Sequence, residues 1–304
     1  MPSLYDLAQQ GDPGTLQTEQ QARDIKLLSP QRLYELWERQ PWASQEIDFS
    51  RDLGHWADMS GEEREYFTWG MSAFFIGEER VTTQFSGLVM AYDDEQEEAF
   101  LTTQQVDEAR HMQFFDRFYR DVVGVDDDLI ADRLAKVREH LNDSFVKLFD
   151  EELVAAGQRL VADPRNADAK IDFVTTYHMV IEGTLALTGQ NFLTEYLERE
   201  GKLPGFVEGF KNVARDEHRH VAYGTWFLKQ AVVRDPTAGE RIRAKLQELL
   251  PIAAGVLVPP GRDPNDWEML GYTNHDFNGF AFNALTRRMS AIGVPLVAGE
   301  PTPA

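Results

Sequence analysis

The chain has 304 residues, of which 42% are hydrophobic and 11% aromatic. This apolar content is enough for a sizeable buried core and excludes a disordered or fibrous protein. The chain carries 30 Lys and Arg against 51 Asp and Glu, a formal net charge of −21, so most of its surface would repel a nucleic-acid backbone. It contains no cysteine, which excludes disulfides and thiolate-based zinc or iron–sulfur sites. Any metal must therefore be held by oxygen and nitrogen.

The first 28 residues are polar and contain Gly11, Pro13 and Gly14, which predicts irregular structure. They have neither the basic start nor the apolar stretch of a signal peptide, and no later segment approaches the ~18 apolar residues of a membrane span. We therefore expect a cytoplasmic protein that does not cross a membrane.

Helical signals follow in chain order. Ser29 and Pro30 supply an N-cap and a first-turn proline for a short helix through Arg39. Ser60 and Glu63 form a capping-box pair, which predicts the start of a long helix. Apolar residues then recur at steps of three and four: Phe67, Met71, Phe74, Val81, Phe85 and Leu88.

The same period recurs over residues 93–123 and 206–227. Two further long helical stretches are predicted between them, at about 127–160 and 167–199. No credible run of alternating strand residues is present, so the predicted fold is all-α. The last fifty residues, from Pro251, contain Pro259-Pro260-Gly261 and predict short helices and loops that wrap around the helical core.

Several inward positions of these helices hold ionisable residues instead of apolar ones. A buried, unpaired ion costs several kcal/mol, roughly, even after the protein relaxes. The neighbouring stripe residues are apolar, so metal cations are the more economical partners. The residues concerned are Glu78, Glu108, His111, Glu182, Glu217 and His220.

Four of the six form Glu-x-x-His pairs, whose i, i+3 spacing places both side chains on one helix face. The pairs lie in two similar strings, residues 107–111 (DEARH) and 216–220 (DEHRH), and each follows a helix with one inward glutamate. This is the pattern of di-iron and di-manganese carboxylate proteins. We predict a single ferritin-like domain, a four-helix bundle core over about 60–235 with additional helices, an irregular N-terminal 1–28 and a C-terminal wrap over 251–304.

Three nearby residues have two interpretations each. Asp107 and Asp216 are either surface acids or acceptors of an N–H from a ligand histidine. His178, four residues before Glu182, is either a seventh ligand or a hydrogen-bonded core histidine, and the second is favoured.

With these motifs, residues 40–235 resemble the radical-generating small subunit of class I ribonucleotide reductase. The resemblance includes the segment Trp42–Asp52, similar to the one that holds that family's buried tryptophan. Two features depart from a reductase subunit. Phe115 occupies the place where most reductases carry the radical tyrosine, and residues 273–304 contain neither Tyr nor Trp, so a long-range radical relay would lack its last step.

The segments Gly77–Thr82 and Tyr177–Gly189 are similar to a related branch, the ligand-binding oxidases. This resemblance implies a manganese–iron cofactor, O2 activation, a long-chain fatty acid ligand, a homodimer and an ether cross-link between Val81 and Tyr177. Helical spacing independently places Val81 on the face of Glu78. It does not support Tyr177, because five residues correspond to about 140° around an ideal α-helix.

The sequence leaves other functions open. A ribonucleotide reductase small subunit and a hydrocarbon hydroxylase or desaturase use the same six ligand types, and two iron ions are the alternative to manganese and iron. A metal-storage or lipid-carrying bundle is a third possibility.

Overall fold

The structure is a computed structural model that describes residues 27–296. The N-terminal prediction for residues 1–26 lies outside this range. The described part contains ten numbered helices, two short 3₁₀ helices at Ser44–Glu46 and Arg138–His140, and one small hairpin. The numbered elements are α1 Pro30–Trp37, α2 Asp52–Ala57, α3 Gly61–Met90, α4 Glu95–Phe118, α5 Ile130–Val137, α6 Asp143–Val146 continuing through Lys147–Glu152 and Leu153–Ala162, α7 Ala167–Val174 continuing through Thr175–Ala186 and Leu187–Glu200, α8 Pro204–Arg234, α9 Thr237–Val256, β1 Glu268–Met269, β2 Tyr272–Thr273 and α10 Asn274–Ile292.

Local side-chain caps explain where the paired helices α3 and α4 begin. At the start of α3, the Ser60 hydroxyl accepts the backbone N–H of Glu63 at 3.2 Å, and the Glu63 carboxylate accepts the N–H of Ser60 at 2.8 Å. The predicted capping box is therefore confirmed. At the start of α4, the Asp94 carboxylate accepts the N–H groups of Gln96 and Glu97, both at 2.9 Å.

Helices α3, α4, α7 and α8 form the central bundle, in which α3 packs along α4 and α7 along α8. Their inward faces form one apolar core with the outer helices α9 and α10. The predicted all-α, ferritin-like class with additional helices is confirmed. Among residues 27–296, every helix is too short or too polar to cross a bilayer.

The structure corrects the prediction of one helix over 127–160. The chain is helical over Ile130–Val137, tightens into a 3₁₀ turn at Arg138–His140, and starts again at Asp143. Asn142 causes the restart, because its side-chain oxygen accepts the N–H of Phe145 at 2.9 Å while its NH2 group donates to the carbonyls of Gly255 and Val258.

The prediction for the last fifty residues was partly wrong. Helix α9 passes through Pro251 and ends only at Val256, and α10 is a 19-residue helix with its own capping box between Thr273 and Asp276. A hairpin of two two-residue strands precedes α10. Buried apolar residues continue along α10 from Phe277 to Ile292, and Phe277 packs flat on Phe192 of α7 with ring centroids 4.2 Å apart.

Helix α7 contains a long π-helical segment, Thr175–Ala186. Its hydrogen bonds join residues five apart instead of four, and the hydroxyl of Thr184 likewise donates to the carbonyl of Met179 at 2.7 Å. The wider turn brings residues five apart toward the same face. This segment holds both Tyr177 and Glu182, so it decides which side chains reach the centre of the bundle.

Candidate metal centre

The six ionisable residues predicted from the sequence meet in the middle of the bundle. They form two groups, Glu78 with His111 and Glu217, and Glu108 with Glu182 and His220. All six are buried, and within each group the candidate ligand atoms lie within 4.8 Å of one another. Each group offers two carboxylates and one imidazole, a donor set suited to iron or manganese.

Burial makes this cluster electrostatically unfavourable without cations. It raises the pKa of Glu78 to about 7 and that of Glu182 to about 8, and it raises the pKa of Glu217 well above the usual range. Burial also disfavours the charged form of Glu108, but the two nearby histidines outweigh it and hold its pKa well below the usual range. Protons therefore take the place of cations in the metal-free cluster.

Two buried atoms at the centre have no hydrogen-bond partner among residues 27–296. They are Nδ1 of His111 and Oε2 of Glu182. Nδ1 of His111 lies 3.5 Å from carboxylate oxygens of both Glu78 and Glu108, too far for a good hydrogen bond. Unsatisfied donor and acceptor atoms that converge on shared space fit a bound metal pair.

Two aspartates orient the histidines from behind in a crosswise arrangement. Nε2 of His111 lies 3.4 Å from Asp216, and Nε2 of His220 lies 3.3 Å from Asp107. Each aspartate thus serves the histidine of the other helix, and both imidazoles turn Nδ1 toward the cluster. Of the two interpretations of these aspartates, acceptance of a histidine N–H is the correct one.

Arginine and tryptophan side chains complete this outer layer. Arg219 donates to Asp107 at 2.9 Å and to Asp216 at 2.7 Å, and Arg110 donates to Asp107 at 2.8 Å. Trp37 donates its indole N–H to Asp107 at 2.9 Å, and Trp42 donates to Asp216 at 2.6 Å. Sequence reasoning missed these arginines, although both occupy the fourth place of the repeated strings.

The structure places Tyr177 at the centre, where ideal α-helical spacing did not. Its hydroxyl lies 2.5 Å from a carboxylate oxygen of Glu108 and also within hydrogen-bond distance of Glu182, so the two carboxylates share its single proton. The π-helical turn explains the difference. Val81 is buried one turn after Glu78, and both Val81 and Tyr177 line the same cavity as the carboxylates.

His178 belongs to neither group of candidate ligands. Nε2 of His178 lies 3.2 Å from the side-chain nitrogen of Gln104 and 3.3 Å from its side-chain oxygen. The side-chain nitrogen of Gln104 also donates to the Tyr177 hydroxyl at 3.1 Å. The interpretation as a hydrogen-bonded core histidine is confirmed. Sequence reasoning missed the role of Gln104, although a glutamine in an apolar stripe was a usable signal.

An apolar cavity extends from the carboxylates and is lined by residues of α3, α6, α7, α9 and α10. Its inner end is formed by Glu78, Glu108, Glu182 and Glu217. The remaining lining is almost entirely apolar and includes Ala73, Phe74, Phe149, Ile181, Leu185, Ala186, Leu193, Val256 and Phe277. The cavity is therefore apolar everywhere except at its carboxylate end.

Sequence comparison decides the family. The family model for the ribonucleotide reductase small chain matches residues 23–255, which include all six candidate ligands. The chain belongs to the ribonucleotide reductase small chain family. This resemblance, predicted from the sequence, is confirmed.

Solved structures similar to this chain include mutants of an R2-like ligand-binding oxidase with a reconstituted Mn/Fe cofactor. Two anaerobically reconstituted mutants are each 26% identical to this chain over 88% of it and 94% of theirs, with TM-scores of 0.74 and 0.76. An aerobically reconstituted mutant is 25% identical over 88% and 93%, with a TM-score of 0.73. Together with the two Glu/Glu/His groups, these relatives support an oxidoreductase with a dinuclear metal site.

Proposed function

We propose that the protein is a manganese–iron oxidase that activates O2, holds a long-chain fatty acid in its apolar cavity and cross-links Val81 to Tyr177. The metal ligands are Glu78, Glu108, His111, Glu182, Glu217 and His220. When bound, the metal pair supplies the redox chemistry of O2 activation. The protein supplies the ligands, the orientation and the exclusion of water.

One observation carries this proposal: Val81 and Tyr177 face one cavity whose inner end is made of four of the six candidate ligands. A ribonucleotide reductase subunit has no need of a buried valine beside a buried phenol. A fatty acid would place its own carboxylate at the metals and its hydrocarbon chain along the apolar lining of the cavity.

The chain's own residues define the cross-linking step. Tyr177 already donates its hydroxyl proton toward Glu108 and Glu182, so either carboxylate is placed to receive it. Ether formation breaks one C–H bond of Val81 and the O–H bond of Tyr177 and forms one C–O bond. The two electrons removed go to O2, and the two protons leave with it. Cytoplasmic location and homodimer formation remain predictions from the sequence.

The decisive experiment is aerobic reconstitution of the metal-free protein with Fe(II) and Mn(II), followed by intact-mass measurement. We expect O2 consumption and a mass lower by two hydrogens, with one linked peptide pair containing Val81 and Tyr177. O2 consumption with an unchanged mass would favour a reductase subunit, hydroxylase or desaturase. An absence of O2 consumption by the metal-loaded protein would favour a storage or carrier bundle.

A manganese–iron pair and a di-iron pair are separated by anomalous diffraction at the two metal edges. The fatty acid is tested on the protein purified from cells, by extraction and mass spectrometry. Protein that carries no stoichiometric long-chain acid would contradict the lipid part of the proposal and leave the metal part intact.

A further inference from the structure

A second buried tyrosine lies on the side of His178 away from Tyr177. Tyr223 is fully buried on α8, and its ring centroid lies 5.3 Å from that of His178, which in turn lies 4.5 Å from that of Tyr177. On the other side of Tyr223, the half-buried ring of Trp226 follows at 6.2 Å. Four aromatic rings in contact thus run from the metal centre to the surface.

Tyr223 has a base in place for its proton. Its hydroxyl donates to the buried carboxylate of Glu97 at 2.5 Å. Glu97 also accepts two hydrogen bonds from Lys170, at 3.0 and 2.9 Å, and one from the backbone N–H of Asp93 at 2.5 Å. Lys170 thus lies beside Glu97 as its ion-pair partner, and the Glu97 carboxylate lies within hydrogen-bond distance of the phenol as the acceptor for its proton.

A structural role alone does not account for the position of Tyr223. A Tyr–Glu–Lys cluster can join helices without a ring contact to His178. The chain contains a second cluster of this kind for comparison. Tyr196 donates to Glu63 at 2.8 Å, and Glu63 also accepts from Lys202. Tyr196 has ring contact only with Phe67 and the Arg199 guanidinium among the described residues, and so lacks an aromatic connection to the metal centre.

We propose that Tyr223 is a second redox-active tyrosine, which gives an electron toward the metal centre through His178 and Tyr177 and its proton to Glu97. The inference rests on the proposed function, because the oxidant is O2 activated at the metal pair. The step breaks the O–H bond of Tyr223 and forms an O–H bond on Glu97. The electron reduces the oxidised metal centre by one equivalent, and a neutral radical remains on Tyr223.

By this route Tyr223 reduces the oxidised metal centre when neither Val81 nor a substrate has supplied the electron. Because the proton moves only from Tyr223 to Glu97 and stays within the buried cluster, the net charge of the cluster rises by one unit, the charge of the electron that left. Burial and the Glu97 charge raise the pKa of Tyr223 well above its usual range. The phenol therefore keeps its proton until it is oxidised, which couples the two transfers.

The test uses Tyr177→Phe protein, in which the cross-link cannot form but the ring remains. The metal-free protein is loaded with Fe(II) and Mn(II) under nitrogen, mixed with O2 and freeze-quenched, with O2 uptake recorded in parallel. We expect the EPR signal of a neutral tyrosyl radical, narrowed when the protein contains ring-deuterated tyrosine. A nitroso spin trap should add to the peptide that contains Tyr223.

Two double variants assign the signal. Tyr177→Phe with Tyr223→Phe should lose it, whereas Tyr177→Phe with Tyr196→Phe should keep it. Tyr177→Phe with His178→Leu retains the Tyr223–Glu97 pair but breaks the ring contact, and should also lose the signal. This last variant decides the matter if the Tyr223→Phe protein does not fold.

The outcomes separate the two proposals. O2 uptake without a tyrosyl signal overturns the redox role of Tyr223, as does a signal that survives removal of Tyr223 or His178. An absence of O2 uptake in the metal-loaded parent protein overturns the proposed oxidase function, and the role of Tyr223 with it.

Discussion

The hydroxyl of Tyr177 donates a hydrogen bond to Glu182, a residue five positions later in the same helix. An α-helix would point these side chains in different directions, and only the π-helical segment Thr175–Ala186 lets them meet. The same hydroxyl donates to Glu108 across the bundle. One phenol therefore joins two buried carboxylates that come from different helices.

Substitution of Tyr177 by phenylalanine separates cross-linking from metal binding. We expect Tyr177→Phe protein to bind both metals and consume O2, but to keep its unmodified mass, because the ether oxygen is gone. In the metal-free state it should lose about 1–3 kcal/mol of stability, since two buried carboxyl groups lose a donor. Intact-mass measurement after aerobic loading checks the first result. Tyr196→Phe is the matched control and should still lose two hydrogens.

The sequence predicted most of the site because the signals were local. Each candidate ligand interrupts an apolar stripe, so the helical period alone identified Glu78, Glu108 and His111. The position of Tyr177 could not be predicted in this way. Whether residues 175–186 form an α-helix or a π-helix depends on packing across the bundle. The residue types alone do not distinguish the two helix types.

Contacts between distant segments also escaped prediction. The repeated strings suggested that Asp107 and Asp216 assist the histidines, but the crosswise pairing depends on how α4 and α8 face each other. Similarly, Pro251 and the glycines after it predicted short helices. Helix α10 instead has 19 residues, because its apolar face is buried from Phe277, which packs against Phe192, through Ile292.

Loss of one histidine should empty one metal position. We expect His220→Ala protein to keep its helical fold and to bind a single metal ion per chain, because only the group with Glu108 and Glu182 loses its nitrogen donor. Metal content measured by plasma mass spectrometry checks this. His140→Ala changes a histidine on the surface and should bind both ions. Full occupancy in the His220→Ala protein would mean that His220 is no ligand.

The aspartate behind a histidine should tune metal affinity without contacting the metal. Asp107→Asn removes the charge that orients His220, and we expect metal affinity to fall by about 10–100-fold. Competition with a chromophoric chelator measures the change. Asp235→Asn, an exposed aspartate at a helix end, serves as the control. Equal affinities of the Asp107→Asn and wild-type proteins would contradict an orienting role.

Filling the apolar cavity should expel the lipid and leave the metals in place. Ala186 lines the cavity, so Ala186→Phe places a ring where the hydrocarbon chain is expected. Protein purified from cells should then contain little long-chain acid, while its metal content is unchanged. Ala135→Phe makes the same exchange at an exposed helical position and should retain the acid. Lipid extraction followed by mass spectrometry provides the measurement.

Removal of the metals should reverse the pH dependence of stability in the neutral range. Burial raises the folded-state pKa of Glu78 to about 7 and of Glu182 to about 8, from 4.5. Between pH 4.5 and 8 the metal-free folded protein therefore holds protons that the unfolded chain has released. Because the folded state binds more protons there, its stability must fall as pH rises. The raised pKa values of His111 and His220 act in the same direction.

The metal-loaded protein should behave in the opposite way. Bound cations require ionised carboxylates and unprotonated imidazole nitrogens, so metal binding strengthens as pH rises. At free metal concentrations about 100 times the dissociation constant, each bound metal ion should add about 2.7 kcal/mol to the stability of the loaded protein over the metal-free form. Thermal unfolding of both forms between pH 5 and 8 tests this, and the gap between their melting temperatures should widen with pH. A constant gap would show that the buried carboxyl groups do not exchange protons for metal.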